Sequence, residues 1–138
     1  MITHIKNFFK KNLFKEDIFQ GKLSYTEQID FIKSYNEDYY KDLIVMGDNP
    51  EIPREIIHFV VFKKEEDRAA FIERVGLKDF KCLATFYQPN SKYPYKAEII
   101  RWDKTEMKII NQFTFFLIIR ALEHNGIYLL WETIPVNN

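Results

Sequence analysis

The order of strand and helix patterns between Arg54 and Val136 constrains the fold of this chain more than any other feature. Four runs rich in β-branched and aromatic residues predict strands, and two apolar runs with helical spacing lie between them. The second of these helices ends at a strong stop signal, Asn125-Gly126. The predicted strands are residues 56–62, 80–87, 95–102 and 127–136.

The resulting order is β-α-β-β-α-β, which is the split βαβ arrangement of ferredoxin-like domains. We therefore predict an α+β fold in which a four-stranded antiparallel sheet carries two helices on one face, as right-handed crossovers require. Strand 56–62 lacks polar alternation, which predicts a central strand buried on both faces. The ferredoxin-like domain should span residues 50–138, and residues 1–49 should form an N-terminal helical extension.

Local signals predict where the helices begin and end. Ser24 with Glu27 fits a capping box at the start of the second helix of the extension. Asp103 with Glu106 fits another capping box for the last helix. Gly76 is expected to end the helix between the first two strands, at a position where a left-handed cap is common.

Charge and composition argue against several classes of protein. The chain has 138 residues with 20 basic and 20 acidic side chains, so it has no overall attraction to nucleic acid or to an anionic membrane. No apolar run approaches the roughly 20 residues of a membrane span, and residues 1–19 lack a signal-peptide pattern. The single cysteine, Cys82, fits a reducing compartment. We expect a cytoplasmic protein with no membrane partner.

No pattern for a catalytic, metal or phosphate site stands out. None of the histidines, His4, His58 and His124, has metal-ligand spacing to another, and Cys82 has no cysteine nearby. The glycines lie singly at predicted breaks, so a phosphate-binding loop is not predicted. We expect no catalytic residues, no metal and no cofactor. We also expect a partly buried His58 bonded to a neighbour, and Cys82 as a small buried thiol in a strand.

Two segments carry apolar residues that should pack against another part of the protein. Residues 2–19 show helix-like apolar spacing with lysines between, which predicts a helix that docks on the domain or on a second copy. An interfacial membrane anchor is the alternative. The last helix is apolar on more than one stripe. We expect the N-terminal helices to cover it, with a homodimer as the alternative.

Three short stretches carry motifs of a known family. Gly47–Phe59 holds a Gly-Asp turn, a Pro-Arg pair and an aromatic-containing strand, and Phe62–Phe71 passes from strand to helix. Gly126–Thr133 reads Gly-Ile-Tyr-Leu-Leu-Trp-Glu-Thr. Over about residues 36–136 the chain resembles the regulator of ribonuclease E activity B family, whose terminal motif is Gly-x-Tyr-Asp-Gly-Trp-Glu-Thr. The family's Asp-Gly is replaced here by Leu129-Leu130.

The resemblance implies a ferredoxin-like fold and a non-enzymatic regulator that binds an RNA-degrading endonuclease and inhibits it. We predict a protein contact surface near the last strand, with acidic residues nearby, because aromatic side chains anchor interfaces. In a strand, however, Trp131 suits the core equally well. The predicted partner-binding residues are Tyr128, Trp131, Glu132, Glu65, Glu66 and Asp67.

Two alternative functions remain open. A small-ligand binder or an enzyme needs a pocket with convergent polar groups around His58 or Arg101. An RNA-binding module with a four-stranded sheet stacks bases on sheet aromatics, but residues 93–98 lack the basic-Gly-aromatic motif of its third strand. Direct contact with nucleic acid is therefore not expected.

Overall fold

The computed structural model describes residues 24–137, and the amphipathic segment predicted for residues 2–19 lies outside the described residues. The described helices are α1 (Tyr25–Val45), α2 (Glu65–Gly76) and α3 (Met107–Glu123). The strands are β1 (Arg54–Phe62), β2 (Lys81–Tyr87), β3 (Tyr95–Asp103) and β4 (Gly126–Glu132).

The strands form one antiparallel sheet in the order β2-β3-β1-β4. β1 lies between β3 and β4, and all of its residues except Glu55 are buried. The prediction of a central strand is therefore confirmed. The fold is mixed α+β, with the order βαββαβ after α1. β4 ends at Glu132, four residues before the predicted end at Val136.

The two faces of the sheet have different neighbours. Phe62 of β1 contacts Phe71 of α2, and His58 of the same strand contacts Phe113 of α3, so both helices pack on one side. Alternate residues of a strand point to opposite sides, and Phe59 therefore points away from both helices. We call that opposite side of the sheet the second face. Its side chains include Ile57, Phe59, Val61, Lys96, Glu98, Leu130 and Glu132.

α1 packs on α3 and along β4. The predicted capping box at its start is confirmed: the Glu27 amide donates to Ser24 Oγ at 3.2 Å, and the Ser24 amide donates to Glu27 Oε1 at 3.0 Å. Asn36, in the middle of α1, donates to Thr114 Oγ1 of α3 at 3.0 Å. An N-terminal helix thus covers part of the last helix, as expected. The buried residues of α1 are Gln28, Ile32, Asn36, Tyr39 and Leu43.

The capping box predicted at Asp103 is wrong, and Gly76 ends its helix without the expected left-handed cap. Asp103 does not cap α3, because it ends β3 and its Oδ2 accepts a hydrogen bond from Arg101 Nε at 2.7 Å. Glu106 occupies the N-cap position of α3 and makes no side-chain cap bond. Gly76 does end α2, but the residue with positive φ in this turn is Asp79, at 70°. The local spacing matched the motif at both Asp103 and Gly76. The geometry of the strand and of the turn, however, gives each residue a different role.

The prediction of a buried Cys82 thiol is also wrong. Cys82 is exposed and lies on β2, one of the two outer strands of the sheet. Almost every residue of β2 is exposed, in contrast to the fully buried β4 at the opposite edge. The apolar composition of β2 therefore gave no guide to its burial.

The Asn125-Gly126 stop combines two separate requirements. Asn125 adopts the left-handed conformation, with φ 58°. Gly126 begins β4 where the chain passes close to β1, and a Cβ there would collide with the Phe62 ring and approach the Val61 carbonyl oxygen. The glycine is thus needed for close packing and the asparagine for the reversal of direction.

A buried ion pair joins the connection after α1 to the start of β1. Arg54 Nη1 lies 2.7 Å from Asp48 Oδ1, and both side chains are buried. Asp48 also accepts hydrogen bonds from the Val136 amide at 2.8 Å and from Thr105 Oγ1 at 2.8 Å. The remaining donors of Arg54 reach backbone carbonyl oxygens, including that of Ile134 at 3.0 Å. The pair therefore ties the α1–β1 connection, the β3–α3 connection and the C-terminal segment together.

Replacing Asp48 by alanine should lower the free energy of unfolding by roughly 3–5 kcal/mol, because the Arg54 charge would stay buried without its partner. Urea denaturation followed by circular dichroism measures this loss. The matched control is Lys104→Ala, which removes an exposed ion pair with Glu106 at 3.7 Å and should lower stability by less than about 1 kcal/mol. Equal losses in the two variants would contradict the anchoring role of Asp48.

Candidate functional site

The six residues predicted to contact a partner fall into a buried set and a surface set. Trp131 belongs to the buried set. Its Nε1 donates to Asn36 Oδ1 at 2.6 Å, and its ring stacks on Tyr39 of α1 with centroids 4.6 Å apart. The indole is therefore packed and hydrogen-bonded between β4 and α1. Its exposed fraction is 0%, so its contacts are those of a core residue.

Tyr128 is buried next to His58. The Tyr128 hydroxyl oxygen and His58 Nδ1 share a hydrogen bond of 2.7 Å. Burial raises the pKa of the Tyr128 hydroxyl well above its usual value. Burial, together with the positive charge of Arg101, lowers the pKa of His58 from 6.5 to about 3. His58 is thus a neutral core residue, and its bond to a neighbour agrees with the prediction.

Glu132 lies on the second face of the sheet and is buried, opposite Ile57 of β1. The next residue, Thr133, continues the attachment of the strand end: its Oγ1 donates to the Glu55 carbonyl oxygen at 2.7 Å. The Thr133 carbonyl oxygen accepts a hydrogen bond from the Tyr39 hydroxyl at 2.9 Å. The motif from Tyr128 to Thr133 therefore holds β4 to both β1 and α1.

The three predicted acids form the first turn of α2. Glu65 and Glu66 are exposed, and Asp67 is half-buried. Negative side chains at this position are stabilised by the positive end of the helix dipole. They are the part of the predicted set that a partner can reach directly.

A surface concavity of about 620 Å³ lies beside these acids, and we call it the Asp67 groove. The groove extends from the start of α2 to the start of β4, two residues before Tyr128. The structure thus brings Glu66 and Asp67 to one end of β4, while Trp131 and Glu132 lie towards its other end. Its lining includes Lys63, Lys64, Glu66, Asp67, Tyr93, Gly126 and Ile127.

The substituted pair Leu129-Leu130 lies inside the sheet. The pairing of β1 with β4 shifts register between Phe59 and Val60, and Leu129 is the extra residue of this bulge. Both leucines are buried. The position is therefore part of a continuous strand and not a surface turn.

The region around Arg101 offers little to a small ligand. Its Nε donates to Asp103, and its Nη1 donates to the Lys78 carbonyl oxygen at 2.9 Å. The guanidinium also covers the Phe80 ring, 3.9 Å from the centroid. The concavity beside it, of about 670 Å³, also includes the exposed Trp102, and His58 does not line it. The two candidate polar groups, His58 and Arg101, therefore do not converge on one cavity.

Within residues 24–137, no group of three or more His, Cys, Asp or Glu side chains is arranged to hold a metal ion. No helix in the same range is both long and apolar enough to cross a membrane.

The hydrogen bonds that connect the family motifs to each other and to α1 were not predicted from the sequence. Asp48 and Arg54 belong to the Gly-Asp turn and the Pro-Arg pair, but their pairing across six positions was not predicted. Asn36, a polar residue in an apolar helix, was noted in no functional role, although it bonds to both Thr114 and Trp131. A polar residue at a position of the helix that the apolar spacing directs inward is the sequence signal that could have found it.

The buried neutral His58 predicts a pH dependence of stability. The unfolded chain takes up a proton on this residue below about pH 6.5, whereas the folded chain does not until about pH 3. The contribution of neutral His58 to the free energy of unfolding is therefore complete above about pH 6.5. This contribution is lost as the pH falls, by about 2 kcal/mol between pH 7 and pH 5. Denaturant unfolding at both values should show a smaller difference for His58→Gln than for the wild type. Equal pH dependence of unfolding in the variant and the wild type would contradict the neutral burial of His58.

Comparison with known proteins gives a match over the part of the chain that contains these residues. A family model described as regulator of ribonuclease activity B matches residues 33–133. The match extends from the middle of α1 through all four strands to Thr133, and it includes Asp48, Arg54 and Trp131. A search among curated proteins finds no match. Because the family model covers well over half of the sequence, the resemblance is confirmed and the chain belongs to the regulator of ribonuclease activity B family.

Proposed function

We propose that this chain is a non-enzymatic regulator that binds an endoribonuclease and lowers its activity in the cytoplasm. The observation that carries the proposal is the family match over residues 33–133. The family is defined by regulation of a ribonuclease, and a direct protein contact is the simplest means of regulation for a domain of this size. No cofactor is part of the proposal.

We also propose that the βαββαβ unit, residues 50–138, is a ferredoxin-like domain. The strand order β2-β3-β1-β4 and the packing of α2 and α3 on one face support this assignment. Residues 1–49 are the proposed extension, of which α1 shares a hydrophobic core with the sheet. The regulator acts as one body that includes α1.

The proposed contact surface is the Asp67 groove with the exposed acids Glu65 and Glu66. Exposed carboxylates beside a concave surface suit a partner segment that carries arginine or lysine, and arginine can bind a carboxylate with two parallel hydrogen bonds. Tyr93 adds an aromatic wall on which Lys63 already rests, 5.4 Å from the ring centroid. The groove thus offers charges of both signs, from two acids and from Lys63 and Lys64, and an aromatic surface within reach of one short segment.

Tyr128, Trp131 and Glu132 contribute to this surface from within. The side-chain bonds of Tyr128 and Trp131 hold β4 in place, Glu132 is buried in the same strand, and β4 begins at Gly126 in the wall of the groove. Substitution of Tyr128 or Trp131 would therefore weaken partner binding indirectly, by displacing β4 in the wall of the groove. This division separates residues that touch the partner from residues that shape the surface.

The proposal predicts that the purified chain slows RNA cleavage by an endoribonuclease of the ribonuclease E type from the same organism. Glu65→Gln with Glu66→Gln should weaken inhibition, because the double change removes two exposed charges next to the groove. The control is Glu73→Gln on the exposed side of the same helix, which should inhibit like the wild type. Inhibition is measured as the protein concentration that halves the rate of cleavage of a labelled RNA.

Two outcomes would count against the proposal. If the wild-type chain neither binds nor inhibits the purified endoribonuclease, the regulatory function is wrong. If it inhibits but the double variant and the Glu73→Gln control remain equally effective, the function stands and the contact surface lies elsewhere.

A further inference from the structure

The second face of the sheet is buried although α2 and α3 lie on the opposite side. Phe59, at its centre, has an exposed fraction of 0%, and its cross-strand neighbours Leu130 and Glu98 are also buried. Strand alternation directs all three side chains away from these helices. Four strands with an apolar second face need a covering layer to remove that surface from water.

We propose that residues 1–23 of this chain form the cover of the second face, as an amphipathic segment that docks across the sheet. The segment has apolar residues at helical spacing, Ile2, Ile5, Phe8, Phe9 and Leu13, with lysines between them. An apolar stripe of this kind fits against a sheet face that presents Ile57, Phe59, Val61 and Leu130.

The length of the segment suits the face. A helix rises 1.5 Å per residue, so 18 residues span about 27 Å. A nine-residue strand such as β1 spans about 30 Å at 3.3 Å per residue. Residues 2–19 in a helix are therefore about as long as the face that they would cover, and a few residues remain for the turn into α1.

The point at which the segment joins the described chain also suits the face. α1 begins at Tyr25, and its buried Gln28 lines the Asp67 groove together with Gly126 and Ile127 of β4. Ile127 pairs with Val61 and lies on the second face. The described chain therefore begins near the β4 edge of this face, from which the proposed segment needs no long connection.

The charges of the segment and the face are complementary. Residues 1–23 contain five lysines and two acidic residues. The second face carries the carboxylates of Glu98 and Glu132 among apolar side chains, where attraction to a cation is stronger than in bulk water. Its one buried cation, Lys96, already donates to the Tyr93 carbonyl oxygen at 3.0 Å and to Ser91 Oγ at 3.3 Å.

The far end of the second face is exposed. Trp102, which pairs with Glu55 at the start of β1, is 65% exposed, and Glu55 is exposed as well. The proposed segment therefore lies over the half of the face centred on Phe59 and Leu130. This contrast between the two ends provides an internal reference for the test.

A nitroxide label at residue 12, introduced as Asn12→Cys in a Cys82→Ser background, tests the position of the segment in the full chain. Amide NMR signals of the central residues of β1 and β3, such as Phe59 and Glu98, should broaden strongly. Signals of Glu73, on the exposed side of α2 across the sheet, should broaden least. Strong broadening confined to α2 or α3, or none in the sheet, would overturn the proposal.

A second copy of the chain is the competing occupant, and mixing distinguishes it. Spin-labelled chain without the isotope is mixed with isotope-labelled chain that carries no nitroxide. The proposal expects no broadening in this sample. Broadening of β1 and β3 signals in the mixture would show that the cover comes from another molecule.

A pair of full-length variants gives an independent measurement. Phe8→Asp with Phe9→Asp places two charges on the apolar stripe, whereas Asn7→Asp with Asn12→Asp adds the same charge at polar positions. The first variant should show a several-fold rise in the fluorescence of a hydrophobic dye, with its far-ultraviolet circular dichroism largely retained. Equal dye binding by the two variants would contradict docking through the phenylalanines.

Discussion

The ion pair between Asp48 and Arg54 is the interaction on which the arrangement of the sheet depends. β1 is the central strand, and Arg54 is its first residue. Burial of two charges carries a large desolvation penalty, which is offset only when their hydrogen-bonding groups are satisfied. Asp48 reaches this state by accepting from Thr105 and Val136 as well as from Arg54. The geometry is therefore specific, because a shift of any one segment leaves a buried charge poorly solvated.

The polar contacts of α1 extend this specificity to the edge strand. Trp131 is held by its bond to Asn36 and by stacking on Tyr39, while Tyr35 donates to the Trp131 carbonyl oxygen at 2.8 Å. Apolar packing alone would permit α1 to slide along α3. Hydrogen bonds to buried partners fix its register, since each displaced group would lose a bond inside the core. The tryptophan of the terminal family motif is thus the residue that fixes the position of α1 on the sheet.

Sequence patterns predicted those parts of the fold that depend on neighbours in the chain. The capping box at Ser24 and the continuous apolar run of β1 each have a local cause. The failures at Asp103 and Cys82 arose where the local pattern was correct but another segment decided the outcome. The site was harder to predict, because the bonds of Trp131 to Asn36 and of Tyr128 to His58 join residues 95 and 70 positions apart. The three acids predicted as partner contacts lie in the first turn of α2, whereas the burial of Trp131 depends on its contacts with α1.

The two edges of the sheet are unlike, and this difference limits how the molecule can assemble through its backbone. At β4, the tyrosine hydroxyls of α1 bond to the backbone of Trp131 and Thr133. At β2, no strand within residues 24–137 pairs with the outer edge. Two copies that paired along the β2 edge would use up that edge in both. Strand addition through β2 alone would therefore end with two copies.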